Sequence, residues 1–152
     1  MKEKQYHYEK LLRQELDDFF YEKGFEYERA WNQYRKMLPC GFACYILSIS
    51  PYEEDCIVEM HVGIRHDAVE KIAFHYTNGL RDFSENSMTL VTAMGKIMGK
   101  NYFRYAVKDA ASLKNVVKDM KQQVNIHGEK FLASAQELTY LNELYNAAPL
   151  AK

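Results

Sequence analysis

Glu59, His61 and Arg65 fall on alternate positions of the segment Cys-Ile-Val-Glu-Met-His-Val-Gly-Ile-Arg, residues 56–65. In an extended chain every second side chain shares a face, and neighbours on that face stand about 7 Å apart. An acid and an imidazole at this spacing have the makings of an acid–base pair or of two metal ligands. The plainer cause of the pattern is that any half-buried strand keeps polar residues on its outer face. Val58, Met60, Val62 and Ile64 form the opposite row, so the segment reads as a strand with one core face and one polar face.

Nothing else in the chain completes a catalytic constellation around this pair. His66 follows Arg65 directly and His75 falls in a helical stretch, so neither is spaced to join His61 as a metal ligand, and no metal and no cofactor are expected. His7 is expected at the surface, and His127, on an apolar helical stripe, as a hydrogen-bonded core residue. The cysteines Cys40, Cys44 and Cys56 are odd in number, and their spacing matches no zinc motif. Cys44 and Cys56 fall within strand patterns, where a thiol lacks the helix N-terminus that would activate it, and reduced structural thiols are the expectation. Phosphate-binding loops, the dinucleotide glycine fingerprint and the serine-hydrolase elbow are absent, and Gly95 and Gly99 lack the Lys and Ser or Thr of a phosphate loop. No residue is therefore assigned a catalytic role.

The polar face has a second use. If it continues across neighbouring strands, Tyr27, Arg29, Trp31, Tyr102 and Arg104 join Glu59, His61 and Arg65 on one side of a sheet. Tyr, Trp and Arg carry much of the binding energy in protein contacts. The faces of residues 56–65 follow from alternation, whereas a one-residue slip in a neighbouring strand moves its whole row to the other side.

These residues need elements to position them. Tyr8, Leu11, Leu12, Leu16, Phe19 and Phe20 recur at spacings of three and four, which predicts an amphipathic helix over 5–23, stopped by Gly24 in a left-handed conformation. The aromatic alternation from Phe25 to Trp31 predicts a strand, and Asn32-Gln33 a turn into a second segment at 34–38. Pro39 and Gly41 punctuate the chain before residues 42–50, apolar on both faces and ended by Pro51. The acidic loop 52–55 is short enough to pair this strand with the next as an antiparallel hairpin.

Asp67 is placed to cap a short helix carrying Val69, Ile72, Ala73 and Tyr76, which Asn78 and Gly79 stop. Residues 81–87 read as a surface loop, and 88–94 and 102–107 as two strands forming a second hairpin around Gly95 and Gly99. Asp109 is placed to cap a long stripe from Leu113 to Tyr145, with one helix to about Ser134 and a shorter one over 136–146, Gly128 being tolerated inside the first at about 1 kcal/mol. The tail 146–152 should fray.

The sum is an α+β fold: a two-layer sandwich in which an antiparallel sheet of about five strands packs against N-terminal and C-terminal helices. A chain of 152 residues with 47% hydrophobic and 27% charged residues fits one domain spanning 1–152. The net charge of −1 gives no basic field for nucleic acid or an anionic membrane, so neither is expected as a partner. The start of the chain is polar, without the apolar run of a signal peptide, and no window is apolar for long enough to span a bilayer, so a cytoplasmic protein is expected.

The helix ending in Gly24-Phe25, the aromatic strand, the meander, and the closing words Glu129-Lys130-Phe131-Leu132 and Glu137-Leu138 together resemble the bacterial family known as domain of unknown function 4304. The likeness covers most of the chain, and the helix at 67–76 departs from it. It implies an α+β fold and brings no active-site residue with it.

The functional expectation is a non-enzymatic module that binds a partner protein or a small polar ligand on the sheet face opposite the helices. The alternatives are a small hydrolase or metal-assisted enzyme using Glu59 and His61, and a homodimer formed through the same sheet.

Overall fold

The structure, a computed structural model, describes residues 2–77, 86–100 and 103–137. The chain begins with α1, Lys2–Glu22, which buries Tyr8, Leu12, Leu16 and Phe20 along one stripe. Its end is a Schellman motif: Phe25 N–H donates to the Phe20 carbonyl and Gly24 N–H to the Tyr21 carbonyl, both at 2.9 Å. Gly24 adopts φ +91° there, a conformation that glycine reaches without Cβ strain.

Four strands follow as a meander: β1, Glu26–Glu28; β2, Gln33–Leu38; β3, Gly41–Tyr52; and β4, Asp55–His66. Each pairs antiparallel with the next. Residues 29–31 are not strand. They form a 3-10 turn, Arg29–Trp31, because the chain must reverse within a few residues to set Gln33 opposite Glu28. Asn32 completes the reversal with φ 49°, its side chain accepting from the Tyr27 hydroxyl at 2.5 Å and donating to the Leu47 carbonyl at 2.9 Å. Pro51 does not end β3 but pairs with Cys56, and the reversal falls at Glu53, with φ 54°, and Glu54.

After α2, Asp67–Thr77, the sheet is completed by β5, Leu90–Ala93, and β6, Tyr105–Val107. These do not form the expected hairpin. Both pair with β4, β5 opposite residues 61–64 and β6 opposite 56–58, in series along one edge. Between them the chain makes one helical turn, α3, Met94–Ile97, and returns to the same edge. A long unpaired edge on β4 would expose a row of backbone donors and acceptors, and two short strands in series cover more of it than either alone. Among the described residues the sheet thus has six strands rather than about five, all paired antiparallel.

The helical layer closes with α4, Ala110–Gln123, a π turn, Val124–Gly128, and α5, Glu129–Ala135. Asp109 caps α4 in a capping box with Ser112. Gly128 does not break the helix; it sits in the π turn, which carries the chain without a gap into α5. Residues beyond 137, with most of the expected helix at 136–146 and all of the tail, lie outside the described residues, as do Asn78 and Gly79, the expected stop of the second helix, and 81–85 of the expected loop.

α1, α4 and α5 pack on one face of the sheet. Val58, Met60, Val62 and Ile64 of β4 are buried there, as the alternation predicts, beside Ala43, Tyr45, Leu47 and Ile49 of β3. Phe20 stacks on Tyr34 with ring centroids 4.3 Å apart and tilts against Tyr45 at 5.0 Å, so an aromatic cluster fastens α1 to β2 and β3. His66, fully buried, ties the far end of α5 to β4 through a 2.8 Å hydrogen bond between Nε2 and the Ala135 carbonyl. α2 departs from this scheme, since Ile72 is 62% exposed rather than packed.

Candidate functional site

Strand register sorts the candidate residues onto faces. Glu59 pairs with Ser48, and His61 with Ile46 on one side and Ala93 on the other, all on the face away from the helices. Ala106 pairs with Ile57 on that face, and Arg104, two residues earlier, reaches Glu59 with Nε 2.9 Å from Oε1. Glu59, His61 and Arg104 therefore share the open side of the sheet, with Ser48 and Ser50 exposed beside them. The Glu59 side chain is 29% exposed and that of Arg104 57%, so the pair lies at the water boundary.

Arg65 lies in the same row but is not on an open surface. Its side chain is 6% exposed, held by the Asp67 carboxylate at 2.8 Å and by the carbonyl and hydroxyl of Ser87 at 2.9 and 3.0 Å. Ser87 belongs to residues 86–89, which lie across this end of the sheet. Asn86 accepts from Arg35 at 3.1 Å, and the Met88 sulfur lies 4.0 Å from that of Cys44. Gly63 makes the cover possible, since a Cβ there would stand 2.7 Å from Cε of Met88. Glu70 of α2 fastens the segment, accepting from the hydroxyls of Ser87 at 2.7 Å and Thr89 at 3.1 Å. This cover explains why residues 42–45 are buried on both faces.

Arg29 and Trp31 sit on the 3-10 turn at the β1 edge of the sheet, away from Glu59, and Trp31 is 43% exposed. Tyr27 pairs with Tyr34, which pairs with Tyr45, and so belongs to the helix face. Tyr102 lies outside the described residues. The expected surface of Glu59, His61, Arg65, Arg29, Trp31, Tyr102 and Arg104 is thus divided: Glu59, His61 and Arg104 stand together, Arg65 is under cover, and Arg29 and Trp31 are elsewhere.

A feature that alternation does not signal lies at the β1 edge. A groove of about 550 Å³ runs between α1 and the segment from Tyr27 to Asn32. On its wall the Arg13 guanidinium lies over the Tyr27 ring, 3.5 Å from the centroid. Asp17 accepts from the Tyr34 hydroxyl at 2.7 Å and meets Arg13 at 3.5 Å. Burial, reinforced by the hydrogen bond to Asp17, pushes the Tyr34 hydroxyl well above the usual phenol range, and burial also raises Tyr27. The sequence signal for this groove is the run Tyr6, Lys10, Arg13 and Asp17 at spacings of three and four, on the flank of the apolar stripe of α1.

The cysteines are all free, with Cys44 and Cys56 buried in strands. Burial pushes the Cys44 thiol up to about 12, far from the range of a nucleophile. His127 is half-buried. Among the described residues no three His, Cys, Asp or Glu side chains gather closely enough to hold a metal ion, and no helix is long and apolar enough to cross a membrane. No family model, curated protein or solved structure matches the chain.

Proposed function

We propose that this chain is a non-enzymatic binding module whose contact surface is the uncovered part of the sheet around Glu59, His61 and Arg104, and that it holds a partner protein or a small polar ligand there. The observation that carries this reading is the Glu59–Arg104 pair. At 2.9 Å it joins Glu59 on β4 to Arg104, the residue immediately before β6, and so holds an acid and a base together beside the half-buried His61 and the exposed Ser48 and Ser50. Charged groups held in place at a surface give complementarity and orientation to an incoming partner. The same pair weighs against hydrolysis or metal assistance by Glu59 and His61, because the Glu59 carboxylate is already occupied by a guanidinium.

Three free thiols accord with a reducing, cytoplasmic compartment. The test is a variant carrying Glu59→Ala, His61→Ala and Arg104→Ala together. A partner captured from lysate by the parent, and confirmed with purified protein, should lose its affinity for the variant while the melting temperature stays the same. Equal affinity for both proteins removes the proposal. Light scattering on the same samples checks the homodimer: concentration-dependent dimerisation abolished by the triple variant assigns this surface to self-association.

A further inference from the structure

We infer that the groove between α1 and the turn at Arg29–Trp31 is a second binding site, separate from the sheet face, for a small organic anion carrying a phosphate or carboxylate group on a planar ring. Its wall holds Lys10, Arg13 and Arg29 against Glu9 and Asp17. Asp17 is committed, with one oxygen to the Tyr34 hydroxyl at 2.7 Å and the other to Arg13 at 3.5 Å. Lys10 and Arg29 make no ion pair among the described residues. Glu9 likewise makes no ion pair among the described residues, so the charged groups left to meet a ligand are Lys10, Arg13 and Arg29 against one carboxylate.

Arg13 is prepared for such a ligand. Its guanidinium carbon lies over the Tyr27 ring, 3.5 Å from the centroid, and Tyr27 is itself fixed by its 2.5 Å hydrogen bond to Asn32. The contact to Asp17 is long and engages Nη2 alone, while Nε is buried against the protein, so the donors able to face a ligand are those of the terminal guanidinium nitrogens. A guanidinium seated over an aromatic ring, with terminal N–H donors left over, suits the oxygens of a carboxylate or phosphate. Tyr6, 67% exposed at the rim, offers a ring face for the flat body of the ligand. A volume of about 550 Å³ is within the range of small-molecule sites.

The experiment titrates phenyl phosphate, benzoate, inorganic phosphate and uncharged benzyl alcohol into the full chain. It reads heat and the fluorescence of Trp31, the only tryptophan, which sits on the turn beside Arg29. Saturable binding of the two aryl anions is expected, weaker binding of inorganic phosphate and none of benzyl alcohol. Arg13→Gln should weaken the aryl anions about tenfold or more, and Arg29→Gln and Lys10→Gln several-fold each, with affinity falling as salt rises. Because Arg13 also packs on Tyr27, the exposed Arg29 and Lys10 variants carry the test if Arg13→Gln fails to fold. Absence of saturable binding by either aryl anion, or affinities that none of these variants changes, overturns the inference. The triple change at Glu59, His61 and Arg104 should leave aryl anion binding unaltered, so the two sites succeed or fail separately.

Discussion

Gly128 in the π turn faces the ring of Tyr45 so closely that a Cβ there would overlap the hydroxyl oxygen and stand 3.1 Å from Cε1 and 3.2 Å from Cζ. The contact brings the helical layer onto β3, and only a residue without a side chain permits it. Gly128→Ala is therefore expected to destabilise by about 1–3 kcal/mol, although alanine is the better helix former by roughly 1 kcal/mol. The Tyr45 hydroxyl is buried without a hydrogen-bond partner. Tyr45→Phe should thus be neutral or slightly stabilising, since it removes an unsatisfied polar group without removing packing. In urea titrations the double variant should recover part of the loss from Gly128→Ala. No recovery would show that the ring, not the hydroxyl, makes the contact tight.

Val62 stands at the centre of the row that faces the helices and is fully buried. Val62→Asp places an unpaired carboxylate there, and a loss of several kcal/mol, enough to unfold many domains of this size, is expected. A thermal melt matching that of the parent would reverse the assignment of the two faces.

That row was legible because its cause is local: strict alternation over 56–65 admits one buried face. The Gly24 stop was legible for the same reason, since a left-handed helix end is signalled by the glycine alone. The burial of Arg65 was not. Its cover comes from Ser87 and Met88, more than twenty positions along the chain, and alternation cannot show which part of a polar face will be roofed over. Arg29 and Trp31 misled in a related way. Their spacing continues the strand pattern of Phe25 and Tyr27, while the turn that removes them is closed by Asn32 on the carbonyl of Leu47, a contact between segments that the sequence leaves unlinked. The groove beside Arg13 likewise needs α1 and β1 to be set side by side before it exists.

Alkaline pH offers a test of the buried thiol. Burial, opposed by the nearby Arg35 charge, raises Cys44 from 9.0 to about 12, so the folded state holds the proton more tightly than the unfolded chain. Below pH 9 its contribution to stability is complete. Between 9.0 and about 12 the unfolded chain alone releases the proton, and stability falls by about 1.4 kcal/mol per pH unit for one group. Tyr34 and Tyr105, raised first by burial and then by their hydrogen bonds to Asp17 and Asp119, add to the fall above pH 10. Denaturant midpoints from pH 7 to 10 should be flat and then decline. Cys44→Ala should reduce the decline between pH 9 and 10 whatever it does to stability at neutral pH. An unchanged slope in the variant would place the thiol in water.

Arg65 and Arg104 are both arginines aligned with the polar row of β4, and they should behave oppositely. The Arg65 side chain is 6% exposed and its donors are met by Asp67 and Ser87. Removing it leaves the Ser87 carbonyl and hydroxyl without a charged donor and frees one end of residues 86–89, so Arg65→Ala should cost about 2–3 kcal/mol. The Arg104 side chain is 57% exposed and pairs with a partly solvated Glu59, so Arg104→Ala should change stability by no more than about 0.5 kcal/mol. Urea midpoints of the two variants give the comparison directly. Limited proteolysis adds a local readout, because loss of Arg65 should make the chain near Ser87 cleave faster while loss of Arg104 should not. If Arg65→Ala proves silent in both, the cover over Cys44 and Gly63 is held by Glu70 and Arg35 without it. The contacts of Glu70 with Ser87 and Thr89 then carry the cover, and the open surface stays bounded by it.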